Sequence, residues 1–326
     1  MAINFPEETE GFCFLSNFKN YLRFYGINVS KSWLGGIIGC LGFYYSSKPL
    51  KSNEVIHGRN GTFEDLFDRL QNSLFEPLYK DVIKVDSYLI PYINNMLAQE
   101  DIPLAWINDY YLEYSPYYKL ADFWSIVPIL EINDDNVTFF DNGIKQIKQN
   151  TFMEAVNKNC EARFYFSKKK FLKWACGEIS VMESGISSTV KGFYADNLSK
   201  DEFNGFLGME RFLVDFKLCD DKMAIYNFYF QMNRPGGLSL TRNNMRQLLI
   251  ELKNKWHFIE NEEAIKIYEE LTDQWRKIAS LLFKLSGVND VDLKSRIADR
   301  ILKAVENEKK GVALLENITV QIKEGV

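Results

Sequence analysis

The chain has 326 residues, of which 46% are hydrophobic and 25% charged, and it carries a formal net charge of −5 at pH 7. This length exceeds the roughly 150 residues of a typical domain, so we expect two domains. The net negative charge provides no positively charged surface for DNA or RNA. The longest apolar run, residues 33–45, is too short to span a bilayer. Neither nucleic acid nor a membrane is therefore expected as a partner.

Five cysteines are present: Cys13, Cys40, Cys160, Cys176 and Cys219. Their number is odd, no two form a CxxC pair, and the first residues lack the apolar core of a signal peptide. We therefore expect reduced thiols in a cytoplasmic protein. The only histidines are His57 and His257, so the sequence predicts no metal site and no cofactor.

The first predicted element is an amphipathic helix that Gly26 ends. Its apolar residues recur at steps of three and four: Leu15, Phe18, Leu22 and Tyr25. Cys13 then lies in the first turn, where unpaired N–H groups and the helix dipole favour an ionised thiol. Such a position can activate a cysteine nucleophile, and the structural alternative is a buried core cysteine.

A polar loop that includes His57 is predicted at 48–61, followed by helices at 63–70 and 86–99. Strands are then predicted at 104–107, 124–132 and 137–140. The last two strands form a hairpin that ends at Asp141. An Asp-Asn-Gly sequence leaves two uses for the Asp141 carboxylate, of which the pattern alone favours the second. It can orient a catalytic base, or it can bond the backbone of its own turn.

From residue 151 the pattern becomes helical. Helices are predicted at 152–157, 172–182, 201–215 and 223–230, from about Thr241, and as a final pair with apolar stripes over 265–285 and 297–315. Each of the last two helices is apolar on one face, so we expect them to pack as an antiparallel pair. The predicted fold class is α+β, with an antiparallel-sheet domain at 1–148 and a mainly helical domain at 149–326.

Several stretches carry a resemblance: GFCFLSNFKNYLRFYGINVSKSWLGG, GCLGFYY, IPLAWINDYYLEY, the hairpin ending in FFDN, RPGGLSLTRNNMRQLL, LTDQWRKIASLLFKL and ENEKKG. Together they resemble the butirosin biosynthesis protein H family, in which a papain-like cysteine domain precedes a helical domain. The resemblance implies a nucleophile on the first long helix and its partners on a facing antiparallel sheet. It implies acyl transfer from a carrier-protein thioester through a cysteine to an amine, which forms an amide in a specialised natural product.

The resemblance places Cys13 on the nucleophile and Asp141 on the residue that orients the base. The histidine that it implies about seventeen residues before Asp141 is absent, and Trp124 stands there beside Ser125. Neither side chain can accept a thiol proton near neutral pH.

Three explanations stay open for the missing histidine. His57 or His257 can supply a displaced base. Alternatively, the helix terminus alone generates the thiolate, which suffices for an activated thioester. Finally, catalysis is lost, and Trp124 fills the cleft of a non-catalytic papain-like binding or scaffold protein.

The implied substrates are a carrier protein, whose phosphopantetheine arm bears the acyl group, and a small-molecule amine. With water in place of the amine, the protein would be a thioesterase-like or peptidase-like hydrolase. Asn17 and the Cys13 N–H are the expected oxyanion donors, which the nearby Glu7, Glu8 and Glu10 would oppose. The oligomeric state stays open, with a homo-oligomer among the alternatives.

Overall fold

The computed structural model describes residues 5–8, 13–48, 55–120, 122–195, 199, 201–234, 236–257 and 259–325. It is a mixed α+β protein with antiparallel sheets and a helical C-terminal region, which confirms the predicted fold class at this level. The chain divides into two compact units. The described residues of the first unit lie in Met1–Lys31 and Leu74–Ala175, and those of the second lie in Ser32–Leu50, Glu54–Ser73 and Cys176–Val326.

This division differs from a single boundary between residues 148 and 149. Strand β8 (Glu161–Phe166) follows that point in the chain but pairs antiparallel with β3 (Tyr79–Lys84) and β4 (Leu104–Asn108), so it belongs to the first unit. In the second unit, β1 (Leu41–Ser46) pairs with β9 (Glu202–Asn204), which lies far along the chain. Such long-range pairings leave no signal in local periodicity, and for this reason the sequence suggests a simpler division.

The first unit is built around an antiparallel sheet with the strand order β3-β8-β4-β5-β6-β7. Its other elements are α1 (Cys13–Phe24), α4 (Leu89–Ala98), a 3-10 turn (Asp109–Tyr111), β5 (Trp124–Ile132), β6 (Asn136–Phe140), β7 (Ile144–Lys148) and α5 (Gln149–Val156). The predicted hairpin is confirmed, because β5 pairs with β6 in antiparallel register. Strand β8 falls in a region predicted to be helical, and β3 was not predicted.

One face of this sheet, together with α4 and α5, forms the core of the first unit. Alternate residues on neighbouring strands point to the same face, as Ala105 and Ile107 of β4 and Val127 and Ile129 of β5 do, and all four are fully buried. Burial of each large apolar side chain stabilises the fold by about 1.5–3 kcal/mol. The core therefore holds the ends of β5 and β6 in place.

A tight turn between β6 and β7 fixes the position of Asp141. Asn142 has φ 48° and Gly143 has φ 130°, and these two residue types tolerate positive φ better than others. The Asp141 N–H donates to the Gly143 carbonyl at 2.8 Å, which closes the turn. The chain thus reverses immediately after Asp141.

The second unit combines a small sheet of order β2-β1-β9 with most of the helices. Its elements are α2 (Lys31–Ile37), β1, β2 (Ile56–Arg59), α3 (Phe63–Ser73), α6 (Glu178–Phe193), β9, α7 (Gly205–Leu218), α8 (Lys222–Asn233), α9 (Leu238–Lys255), α10 (Glu262–Gly287) and α11 (Val291–Glu324). The final helix pair is confirmed. Three predicted elements differ from the structure. The predicted loop at 48–61 contains strand β2, and the predicted helix at 201–215 begins with strand β9 before α7. The helix predicted at 172–182 begins only at Glu178.

A buried ion pair joins elements of the second unit. The side chains of Arg242 on α9 and Glu308 on α11 have no exposed surface, and Arg242 Nε donates to Glu308 Oε1 at 2.6 Å. Arg242 Nη1 also donates to the Gly42 carbonyl of β1 at 2.8 Å, and Trp275 Nε1 of α10 donates to Glu308 Oε1 at 2.7 Å. Three helices and a strand are therefore linked through two buried charges.

Among the described residues, no helix has both the length and the apolar character that a membrane crossing would need.

The buried pair generates a stability prediction. Glu308→Gln keeps the shape of the side chain but leaves Arg242 buried without a counter-charge, so we expect the free energy of unfolding to fall by about 3–5 kcal/mol. Urea denaturation measures this loss. Lys309→Ala is the matched control, because Lys309 follows Glu308 on α11 and forms a solvent-exposed ion pair with Glu210 of α7, the loss of which should cost less than about 1 kcal/mol. Equal losses of unfolding free energy in the two variants would contradict the assignment of Arg242 and Glu308 as a buried ion pair that stabilises the fold.

Candidate active site

Cys13 is the first residue of α1 and is half-buried. The apolar residues of the helix are almost completely buried: Phe14, Leu15, Phe18, Tyr21 and Leu22. The helix is therefore held firmly, and its first turn presents Cys13 among backbone N–H groups that favour an anion. The predicted position of Cys13 in the first turn of a helix is confirmed.

Asn17 connects the Cys13 helix to the hairpin. It follows Cys13 by four residues, so the two share one face of α1, and its side chain has no exposed surface. Its Nδ2 donates to the Ile126 carbonyl of β5 at 3.0 Å and to Asp141 Oδ1 at 3.2 Å, and its Oδ1 accepts from the Asn142 N–H at 3.0 Å. Both amide hydrogens are thus used, so in this arrangement Asn17 positions Asp141 and has no N–H left for an oxyanion.

The Asp141 carboxylate is bonded on both oxygens. Besides the bond from Asn17 to Oδ1, Tyr114 Oη donates to Oδ2 at 3.0 Å. The carboxyl group is 9% exposed, and its burial raises its pKa. The pattern favoured a side-chain bond to its own turn, and this prediction is wrong. The two carboxylate oxygens instead accept from Tyr114 and from Asn17 of the helix that carries Cys13.

Tyr114 adds a hydroxyl group that sequence reasoning missed. Its ring is 39% exposed, and burial of the hydroxyl, followed by the charges of Asp141, Asp109 and Cys13, raises its pKa far above the usual value of a phenol. The phenol is therefore neutral and donates its proton to Asp141.

A second buried carboxylate, Asp109, lies in the 3-10 turn after β4. Ser125 Oγ donates to Oδ1 at 3.1 Å, and Ser115 Oγ donates to Oδ2 at 3.1 Å. Burial raises the pKa of Asp109 to about 7, and the negative charge of Asp141 acts in the same direction. Asp109 therefore changes its protonation near neutral pH.

The two residues at the expected histidine position point to different sides of β5. Trp124 lies opposite Asn108, is half-buried, and has Lys158 Nζ 5.4 Å from its ring. Ser125 is 2% exposed and bonds Asp109. Since successive strand residues face opposite sides, Ser125 contributes to the polar network and Trp124 faces away from it.

Both histidines belong to the second unit. His57 lies on β2, is 2% exposed, stacks on Tyr44 with ring centroids 4.6 Å apart, and accepts from the Arg59 N–H at 3.3 Å through Nδ1. His257 is exposed in the turn after α9. The first unit has no histidine in its sequence, so a proton acceptor drawn from that unit must be another residue type. A displaced histidine base stays a prediction.

The acidic residues before Cys13 were expected to oppose an oxyanion. Glu8 is instead paired with cations of α1: Lys19 Nζ is 2.6 Å from Oε2, and Arg23 bonds Oε1. Hydrogen bonds from Lys19 and then Arg23 lower the pKa of Glu8. Its charge is therefore balanced locally, and Glu10 lies outside the described residues.

Within the part of the chain that the structure describes, no group of three or more His, Cys, Asp or Glu side chains is arranged to hold a metal ion. Comparison with models of protein families found none that matches the chain, and comparison with curated proteins also found no match. The site is therefore defined by its own geometry. Asn17, one helical turn after Cys13, and Tyr114 both bond Asp141, and Ser125 bonds Asp109.

The raised pKa of Asp109 predicts a specific pH dependence of stability. Its folded pKa of about 7 exceeds the ordinary value of 3.8, so the folded state binds the proton more tightly than the unfolded state. This contribution to stability is complete below pH 3.8 and is lost as the pH rises through 7. Relative to Asp109→Asn, the wild type should become less stable between pH 5 and pH 8, by up to about 1.4 kcal/mol per unit of pKa difference.

Urea unfolding at both pH values measures the effect. Asp134→Asn, in the exposed hairpin turn, controls for the substitution itself. If the free energies of unfolding of the wild type and Asp109→Asn keep a constant difference from pH 5 to pH 8, the buried carboxylate assignment is wrong.

Proposed function

We propose that the first unit is a papain-like acyltransferase domain that forms amide bonds in specialised metabolism. Cys13 takes the acyl group from a carrier-protein thioester and passes it to an amine. The observation that carries this proposal is the placement of the Cys13 thiol in the first turn of α1, one helical turn from Asn17, which holds the Asp141 carboxylate at 3.2 Å. A nucleophile at a helix start with polar partners on antiparallel strands is also what the family resemblance implies.

The chemistry of the site favours a thioester over a peptide as the acyl donor. Exchange of one sulfur for another has an attacking group and a leaving group of similar basicity, so it needs little acid assistance. Cleavage of a peptide bond requires protonation of a poor leaving amine, which a histidine usually provides. The first unit contains no histidine, so thioester chemistry fits its residues better.

The proposed transfer has two steps. In the first, the Cys13 thiolate attacks the thioester carbonyl, the bond to the pantetheine sulfur breaks, and that sulfur leaves as a thiol with the proton that Cys13 gave up. In the second, the amine attacks the acyl-cysteine, the bond to Cys13 breaks, and the amine proton returns to the Cys13 sulfur. The oxyanion of both steps forms at the first turn of α1, where the positive end of the helix dipole favours a negative charge.

A second candidate is a non-catalytic binding protein with the same fold. Trp124 at the expected histidine position favours it, because the residue that normally activates the cysteine is missing. Such a protein would hold a carrier protein or a catalytic partner without forming an acyl-cysteine. The two candidates therefore differ in whether Cys13 accepts an acyl group.

Acyl loading of Cys13 is the direct prediction. Incubation with a panel of acyl-pantetheine thioesters should add one acyl mass to the protein, and peptide mapping should place it on Cys13. The adduct should be lost in Cys13→Ala, because no other cysteine lies at this helix start. It should persist in Cys160→Ala, which removes an exposed cysteine of the same unit.

A folded protein that shows no adduct with any member of the panel would favour the binding candidate. An adduct that is lost in Cys160→Ala and kept in Cys13→Ala would contradict the assigned nucleophile. Subsequent addition of amines distinguishes a transferase, which yields the amide, from a hydrolase, which yields only the free acid.

A further inference from the structure

We propose that one exposed, positively charged face of the sheet in the first unit docks the carrier protein that brings the acyl group to Cys13. Alternate residues of β3 and β8 form this surface, which we call the docking face: Lys80, Val82, Lys84, Glu161, Arg163 and Tyr165. The inference rests on the proposed function, in which a carrier protein is the acyl donor. Binding of that partner can nevertheless be measured without any acyl transfer.

Strand pairing places these six side chains on one side of the sheet. β3 and β8 pair in antiparallel register, and Val82 lies opposite Arg163. Ala162 and Phe164, which flank Arg163 on β8, are fully buried in the core that the sheet forms with α4 and α5. Since successive strand residues point to opposite sides, the docking face lies on the side of the sheet away from that core.

The docking face is open to solvent where it reaches the edge of the sheet. β3 is the edge strand, and its Lys80 and Lys84 are exposed. The apolar Val82 between them is 46% exposed. On the next strand, Tyr165 lies opposite Lys80, whose Nζ is 6.0 Å from the centroid of the ring. The face therefore presents apolar surface that is flanked by cations.

Positive charge predominates on the docking face. Three of its six residues are cations and one is an acid. The acid, Glu161, lies directly opposite Lys84, so these two charges balance each other. Lys80 and Arg163 lie opposite uncharged residues, and they supply the net positive charge of the face.

The same side of the sheet continues from the docking face to β5 and the candidate site. The register of β4 with both of its neighbours places Trp124 on this side, and Lys158 Nζ lies 5.4 Å from the Trp124 ring. Two residues further along β5, the Ile126 carbonyl accepts a hydrogen bond from Asn17, one helical turn after Cys13. Three strand spacings of about 4.8 Å separate β5 from β3, so the docking face lies about 14 Å from the strand that anchors the Cys13 helix.

Lysines on an edge strand also have an ordinary explanation, because they prevent one sheet from pairing with another. Strand β7, at the opposite edge of the sheet, carries Lys145 and Lys148 in the same way. The docking face differs from β7 because its positive charge extends to Arg163 of β8, an interior strand that needs no such protection. A cation at this position fits recognition of an anionic partner better than protection of an edge.

The chemistry of a carrier protein complements the docking face. A phosphodiester joins the pantetheine arm to the carrier, so negative charge accompanies the arm at its point of attachment. The partner is therefore a carrier protein whose surface beside the arm presents carboxylates and apolar side chains. Opposite charges guide the encounter and fix the orientation of the two proteins, and Val82 and Tyr165 supply the apolar contact.

The experiment compares two kinds of acyl donor in the loading of Cys13, measured by mass spectrometry: a panel of acylated carrier proteins, and the same acyl groups on free pantetheine. In Lys80→Glu combined with Arg163→Glu, we expect the second-order rate constant with the carrier proteins to fall about tenfold or more at low ionic strength, because attraction becomes repulsion. Loading from free acyl-pantetheine, which carries neither phosphate nor protein, should keep its wild-type rate.

Lys148→Glu is the matched control for Lys80→Glu. Each lysine is exposed on an edge strand of the same sheet and lies opposite an uncharged residue, Asn136 for Lys148 and Tyr165 for Lys80. Lys80→Glu alone should slow loading from the carrier proteins, and Lys148→Glu should leave it at the wild-type rate. Equal slowing in the two variants would assign the effect to net charge and would overturn the docking face.

An unchanged rate with the carrier proteins in the double variant would overturn the proposal. An equal loss with both kinds of donor would also overturn it, because the substitutions would then act on the site itself. Should the double variant fail to fold, as judged by circular dichroism, the exposed Lys80→Glu variant decides by the same criteria.

If the wild type takes an acyl group from neither kind of donor, direct binding decides. Calorimetric titration with the unacylated, phosphopantetheine-bearing carrier proteins should show binding to the wild type that weakens in Lys80→Glu and at high salt. Such binding without any acyl-Cys13 refutes the proposed function and leaves the docking face standing. Binding of a single-stranded oligonucleotide but of no carrier protein, or binding of neither, overturns the proposal.

Discussion

The buried amide of Asn17 is the interaction on which the candidate site depends. It bonds the Ile126 carbonyl, the Asp141 carboxylate and the Asn142 N–H, so a single side chain fixes α1 against the end of the hairpin. A buried polar group must satisfy all of its hydrogen bonds, and the cost of leaving any of them unmade holds the parts in one arrangement. Cys13 lies one turn earlier on the same helix, so this constraint also fixes the position of Cys13.

Burial also affects the ionisation of the carboxyl groups in this network. It raises the pKa of Asp141, and it raises the pKa of Asp109 to about 7, with the negative charge of Asp141 as a second cause. The Asn17 amide and the Tyr114 hydroxyl donate to the Asp141 carboxylate, and these hydrogen bonds oppose the rise in its pKa.

Local sequence pattern could predict the parts of this site that depend on local structure. The spacing of Leu15, Phe18 and Leu22 predicted α1, and alternating apolar runs predicted β5 and β6 with Asp141 at the end. Tyr114 and Asp109 could not be predicted in the same way, because their partners are 27 and 16 residues away and their segment has no regular period.

The fold shows the same limit. Strand β8 lies next to β3 and β4 only through pairing across long stretches of chain, and the Arg242–Glu308 pair joins helices 66 residues apart. The resemblance to a known family names Cys13 and Asp141 as candidates, and it offers no substitute for the histidine that is absent at the position of Trp124.

The most direct measurement of the central claim is the single-turnover rate at which Cys13 takes an acyl group from a pantetheine thioester at pH 7. The account predicts an acyl-Cys13 adduct in the wild type that is lost in Cys13→Ala, with unchanged acylation of Cys160 in both proteins. A folded wild-type protein that forms no adduct on Cys13 would contradict the account.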